Sequence, residues 1–226
     1  MLRKTFETEL QEIKDEILVL GSMVEDAVLV SMKALKDRNT GVSKLIYEKD
    51  RAINQKRYAI ESKVMIAIAT QQPMARDLRL LASILDVVSE LERMGDYAKG
   101  IANINLRIGD QPIRISPDLS RMAEKAVNML HRALTAFIDS DETLARQIPS
   151  EDDEVDALYN QVYRVMMTYV MENPKYIEHA NFMIWAAHNL ERMADRVTNI
   201  CERTVFVVSG EIKEIETSDD EQRQTQ

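Results

Sequence analysis

From Phe6 onward, apolar or small residues return at alternating intervals of four and three positions: Phe6, Leu10, Ile13, Ile17, Leu20, Val24, Ala27, Ser31 and Ala34. Sustained over about four heptads, that rhythm predicts one long helix with a single seam facing a bundle. Asn39-Thr40-Gly41 interrupts it. A second helix is predicted from Val42 to Gln71, and Pro73 opens a third, where its missing N–H does no harm, running to Arg107. Gly109 to Pro112 ends this set. Ser116-Pro117 has the form of an N-cap and a first-turn proline, starting a fourth helix that ends near Asp139-Ser140-Asp141. The fifth is predicted either to kink at Pro149 or to begin there with Ser150 as cap. Asn173-Pro174 repeats the cap-and-proline signal, and a sixth helix runs to Gly210.

The second three helices repeat the first three. Met23, Glu25, Ala27, Val28, Ala34 and Leu35 recur 99 positions later as Met122, Glu124, Ala126, Val127, Ala133 and Leu134. Leu91-Glu92-Arg93-Met94-Gly95-Asp96 recurs at the same offset as Leu190-Glu191-Arg192-Met193-Ala194-Asp195. On the second helix, Ile46, Asp50, Ile53 and Asn54 match Ile148, Asp152, Val155 and Asp156 at an offset of 102, a difference that a turn absorbs. Two segments agreeing on one offset indicate internal duplication. The expectation is an all-α chain of two tandem three-helix bundles, residues 1–111 and 112–210, followed by a disordered acidic tail at 211–226.

Composition agrees. Only six Gly and five Pro occur in 226 residues, which suits few turns and long helices. Thirteen Met stand against 5% aromatics, so the core is expected to be aliphatic, with Met65, Met74, Met94, Met166, Met167 and Met193 as packing residues and Trp185 against the bundle. A net charge of −9 disfavours binding to a phosphate backbone. Cys201 is the single cysteine, leaving neither a disulfide framework nor a thiolate metal cage. No apolar run approaches the roughly 18 residues of a membrane span, and residues 1–7 lack a signal-peptide core, so a cytoplasmic location is expected. There is no phosphate-cradling Gly loop and no Ser-His-Asp grouping, and a non-enzymatic role is expected.

The candidate chemistry lies in acids set among apolar positions. Leu85, Val88, Glu92 and Gly95 keep the three-four rhythm, as do Ile184, Ala187, Glu191 and Ala194, which puts a glutamate where an aliphatic residue belongs. Asp50 sits likewise between Ile46 and Ile53, and Asp152 between Ile148 and Val155. A carboxylate on a seam costs several kcal/mol unless a cation or hydrogen-bond donors offset its lost hydration. If the second and third helices of each set face each other, the ligands are Asp50, Asn54, Glu92 and Asp96, then Asp152, Asp156, Glu191 and Asp195. The small Gly95 and Ala194 would leave room beside them. Asn103 and Glu202 follow seven residues after Asp96 and Asp195, again oxygen-bearing. Oxygen ligands suit hard cations. The alternatives are ion pairs with arginines, and, for Asp152 and Asp153, first-turn acids favoured by the helix dipole. His188 precedes Glu191 by three, reversing the Glu-x-x-His order of di-iron helices. A carboxylate-bridged oxidase or metal-storage bundle is therefore the second reading. His131 reads as a boundary or core residue.

Gln72-Pro73-Met74-Ala75-Arg76-Asp77-Leu78-Arg79, Leu91 to Ala98, Asn189 to Asp195 and Asn199-Ile200-Cys201-Glu202 together closely resemble the PhoU family of bacterial phosphate-specific transport accessory proteins. The resemblance extends to Gly210 and includes the duplication. It implies two three-helix bundles, usually as a homodimer, and multinuclear metal sites (Fe, Mn, Mg or Zn) on the two acid sets named above, with Asn103, Asn199 and Glu202 as further ligand candidates. Asn54 stands where the family commonly has aspartate, and Ala194 where it has glycine. The resemblance also implies a negative regulator of high-affinity phosphate transport and of the phosphate-starvation response, with the transporter's ATPase subunit and a membrane sensor histidine kinase as partners.

Overall fold

The computed structural model describes residues 2–109 and 115–215, with side chains from residue 6. Within these, α1 (Leu2–Lys36), α2 (Thr40–Gln71) and α3 (Arg76–Ile108) form the first set. The second is α4 (Pro117–Asp139), α5 (Glu142–Gln147), a 3₁₀ turn (Ile148–Glu151), α6 (Asp152–Glu172), a second 3₁₀ turn (Pro174–Tyr176) and α7 (Ile177–Ser209). No strand occurs among the described residues. The predicted boundary at residue 111/112 lies outside them.

Local chemistry sets the ends. Asn39 accepts from the Val42 N–H at 3.0 Å, so α2 begins at Thr40, two residues before the predicted start. Ser116 caps α4 through the Asp118 N–H at 3.4 Å, with Pro117 in the first turn as predicted. Pro73 does not open α3. Gln72 turns left-handed (φ +48°) and Ala75 takes φ +49°, so the chain regains helical geometry only at Arg76. The predicted fifth helix is broken in two: Pro149 sits inside the 3₁₀ turn, where its missing N–H deprives no α-helical hydrogen bond. Ser150 is not the cap of α6; its hydroxyl donates back to the Gln147 carbonyl at 2.8 Å. The 3₁₀ turn is instead braced by Glu151, which pairs with Arg132 and Lys125 of α4.

Burial pushes the Glu151 carboxyl upward, but the hydrogen bonds and charges of Arg132 and Lys125 outweigh it and hold the group below its ordinary value. A depressed folded-state value gives stability present above the unfolded pKa and lost as pH falls through the folded one. Glu151→Gln should therefore cost about 1 kcal/mol at neutral pH, the scale of partly exposed pairs. The difference from wild type, measured by urea unfolding, should shrink toward zero in acid. A difference that grew as pH fell would contradict this account.

The seam predicted on α1 is buried at Phe6, Ile13, Ile17, Leu20, Val24, Ser31 and Ala34, with Leu10 and Ala27 partly so. Val28, Met32 and Leu35 are buried as well, a broader stripe than the three-four rhythm implies. The reason is a second neighbour: α1 packs on α2 and α3 within its own repeat and also on α4 of the other. Likewise α3 runs against α7. Ile17, Leu20, Ile84, Leu91 and Met94 thus share one continuous core with Leu130, Phe137, Leu190 and Val197. Polar pairs rim the α3–α7 joint: Arg196 to Glu90 at 3.5 Å, Arg196 to the Tyr97 hydroxyl at 3.4 Å, and Arg203 to Asp86 at 3.1 Å.

Some packing expectations fail. Met94, Met166 and Met193 are buried, but Met65 and Met74 are exposed because they lie on the outer face of α2 and in the α2–α3 connection. Trp185 is half-exposed, with the Arg107 guanidinium 5.7 Å over its ring. His131 is exposed too, its Nδ1 3.4 Å from Glu25 across the α1–α4 contact. The predicted tail is not wholly separate. Ile215 packs on the core and its N–H donates to Glu202 at 3.0 Å; residues 216–226 lie outside the described part. Gly210 (φ +80°) ends α7 in the left-handed region, with Arg79 beside it donating to the Val207 carbonyl at 3.3 Å.

Candidate functional site

The helix pairs α2–α3 and α6–α7 each carry four of the acid or amide residues singled out by the sequence. In the first pair, Asp50 on α2 has a side chain only 7% exposed. Its Oδ2 takes the Lys99 ammonium of α3 at 2.7 Å and the Asn54 amide at 3.4 Å. Asn54 also donates to the Asp50 carbonyl at 3.3 Å. Lys99 reaches Asp96 as well, at 3.7 Å, and lies 5.1 Å over the Tyr47 ring. Glu92 pairs with Arg57 of α2 at 3.3 Å, while the Arg57 Nε holds Glu61 at 2.7 Å.

Burial, then the nearby Asp96 charge, push the Glu92 carboxyl above its ordinary value, although Arg57 opposes the shift. The hydrogen bond to Asp50 pushes Lys99 upward against desolvation. Both effects describe charges held in a partly dry joint between helices.

Asp50 and Asp152 are buried, as the seam argument requires. Glu92 is not fully on the seam: it is half-buried at its edge, and Asp96 is exposed, because Leu91, Met94 and Gly95 take the inward positions. Gly95 lines an open groove together with Asp50, so there is room beside that carboxylate, and it also lets the helices close up. A Cβ there would lie 3.1 Å from Ile53 Cδ1, so its missing side chain lets α2 approach α3. The same glycine floors an apolar groove of about 390 Å³ between α1 and α2, lined among others by Met23, Val30, Leu45 and Ile46.

In the second pair, Asp152 lies in the first turn of α6 with Asp153 and Glu154, where the helix dipole favours acids. Asp156, Glu191 and Asp195 are half-buried. His188 approaches Glu191 at 3.0 Å, and Arg192 approaches Asp195 at 3.8 Å. Tyr159 of α6 stands near Glu191; burial and that negative charge raise its pKa. Among the described residues, no three His, Cys, Asp or Glu side chains converge closely enough to form a ready-made metal cage.

The further candidates go elsewhere. Asn103 is exposed on α3. Asn199 and Glu202 line a polar cavity of about 180 Å³ with Asp86, Glu90 and Arg203, at the joint between the repeats. The residues that sequence reasoning missed are the cations Lys99 and Arg57. Their signal was spacing: Lys99 follows Asp96 by three and Arg57 follows Asp50 by seven, both on the acid face. Cys201 is buried, its thiol pushed up to about 12 by burial and the Glu202 charge.

Known proteins share this duplicated helical fold. The family model described as "PhoU domain" matches twice, at residues 17–104 and 119–204. The phosphate-specific transport system accessory protein PhoU homolog of Clostridium acetobutylicum is 32% identical over 221 residues, covering 97% of this chain and all of that protein. The accessory protein PhoU of Escherichia coli K12 is 34% identical over 209 residues, covering 91% and 86%. The crystal structure of the phosphate transport system regulatory protein PhoU from Streptococcus pneumoniae superposes with a TM-score of 0.85 at 32% identity, over 92% of this chain and 99% of that one. PhoU from Pseudomonas aeruginosa gives 0.83 at 33% identity, over 91% and 100%. With both repeats matched and the fold shared along nearly the whole length, this chain belongs to the PhoU family.

Proposed function

We propose that the protein is a non-enzymatic negative regulator of phosphate homeostasis, an adaptor between a high-affinity phosphate ABC transporter and the sensor kinase of the phosphate-starvation response. The observation that carries this reading is the alignment of both repeats, end to end, with proteins named as accessory to phosphate-specific transport. The surface suits an adaptor. Leu18, Val19, Leu29 and Val30 on α1 and Leu45, Tyr47, Tyr58, Met65 and Ile66 on α2 are exposed apolar residues of a kind that docks other proteins. No described helix is long and apolar enough to cross a membrane. The partners of this reading are the ATPase subunit and the kinase. The protein acts in the cytoplasm as a homodimer.

Asp152, Asp156, Glu191 and Asp195 supply oxygen donors from α6 and α7 that suit a hard cation such as Fe, Mn or Mg. Such an ion would supply positive charge between the carboxylates of the two helices; the fixed geometry of the bundle is what the partners read.

Removing the gene and assaying a phosphate-starvation reporter in phosphate-rich medium tests the regulatory reading. The reporter should rise at least several-fold and be silenced again by the wild-type gene. Full repression in the deletion strain would sink it.

A further inference from the structure

We propose that the first acidic cluster is closed by a tethered cation, the Lys99 ammonium, and takes no metal ion of its own. A single ammonium 2.7 Å from Asp50 on α2 and 3.7 Å from Asp96 on α3 bridges the two helices as a bound cation would. Arg57 makes the reciprocal bridge, from α2 to Glu92 on α3 at 3.3 Å. Three carboxylates therefore already face two positive charges. The fourth position is Asn54, an amide whose NH₂ donates to Asp50 and adds no negative charge. A divalent or trivalent ion entering between Asp50 and Asp96 would have to displace Lys99 or sit against it. At contact distance, repulsion from the Lys99 ammonium in a half-buried joint offsets the attraction of carboxylates that already have cations as partners.

The two repeats differ at these same places. Carried over by the offsets of 99 and 102, Lys99 becomes Thr198 and Arg57 becomes Tyr159, both uncharged side chains, while Asn54 becomes Asp156. At these three positions the first copy carries two cations and an amide, and the second carries two uncharged side chains and a carboxylate. Confinement of metal to the second repeat rests on the metal reading given above; closure of the first repeat by Lys99 does not.

The test uses the full chain, stripped with chelator and dialysed against Mn²⁺, reading bound metal by elemental analysis and stability by thermal melting. The triple variant Asp50→Asn, Glu92→Gln, Asp96→Asn should bind as much Mn²⁺ as wild type. Lys99→Met should melt about 5 °C lower without metal, as expected for loss of one partner of a largely buried pair. It should gain at least one Mn²⁺ per chain over wild type, and with it recover most of the lost melting temperature. Less Mn²⁺ in the triple variant would overturn the proposal, as would a folded Lys99→Met protein that gains none. If wild type binds no Mn²⁺ while Lys99→Met does, the second-repeat metal reading fails and closure by Lys99 stands.

Discussion

Phe137→Ala should destabilise the protein by about 4 kcal/mol, the scale for truncating a fully buried aromatic, and lower its melting temperature by about 10 °C. Phe137 is 1% exposed near the end of α4 and is among the largest fully buried side chains. Its wider consequence follows from the continuous core. Residues of both repeats belong to a single apolar cluster, joined along α1–α4 and α3–α7. Loss of packing in the second repeat should therefore weaken the first. Hydrogen exchange should show faster exchange at core amides of α1 and α3 as well as α4, with a single melting transition. Two separate transitions, or unchanged protection in α1 and α3, would mean that the repeats fold as independent bundles.

Gly21→Val should cost about 3 kcal/mol, at the upper end for overpacking a filled core. Gly21 lies mid-way along α1, where glycine forfeits about 1 kcal/mol of helix propensity relative to alanine. Its place is explained by contact: a Cβ added there would lie 2.3 Å from Leu134 Cδ1 of α4, and Leu134 is itself buried. In a Leu134→Ala background the same substitution should cost much less, because the methyl groups that block it are gone. Equal costs in the two backgrounds, measured by urea unfolding, would show that α1 does not cross α4 at Gly21.

The sequence made much of this visible, for physical reasons that can be named. The α1 seam was readable because a helix facing one neighbour repeats its apolar positions every three or four residues. The cap Ser116 was readable because its side chain acts on a backbone N–H two residues away, whereas Asn39, read only as an interruption, turns out to cap α2 through the Val42 N–H. The duplication needed only that two segments share an offset. What depended on distant chain was harder to see. Val28, Met32 and Leu35 are buried on a helix that packs on α4 as well as on its own repeat, a second neighbour that periodicity within α1 cannot announce. Pro73 permits a helix start, but the positive φ of Gln72 and Ala75 delays it to Arg76.

At the site, burial of Asp50 and Asp152 was legible from their apolar neighbours. The edge position of Glu92 was not, because Leu91 and Glu92 are adjacent on the helix and either could have turned inward. The spacing that puts Lys99 and Arg57 on the acid faces does not determine whether each meets solvent or a carboxylate. Only the fold shows that the Lys99 ammonium lands on a carboxylate of another helix.

The most direct test of the account is the rate of radiolabelled orthophosphate uptake in phosphate-replete cells with and without this gene. The expected result is faster uptake in the deletion strain, returned to the wild-type rate by the intact chain. Equal rates in the two strains would contradict the claim that this protein restrains phosphate transport.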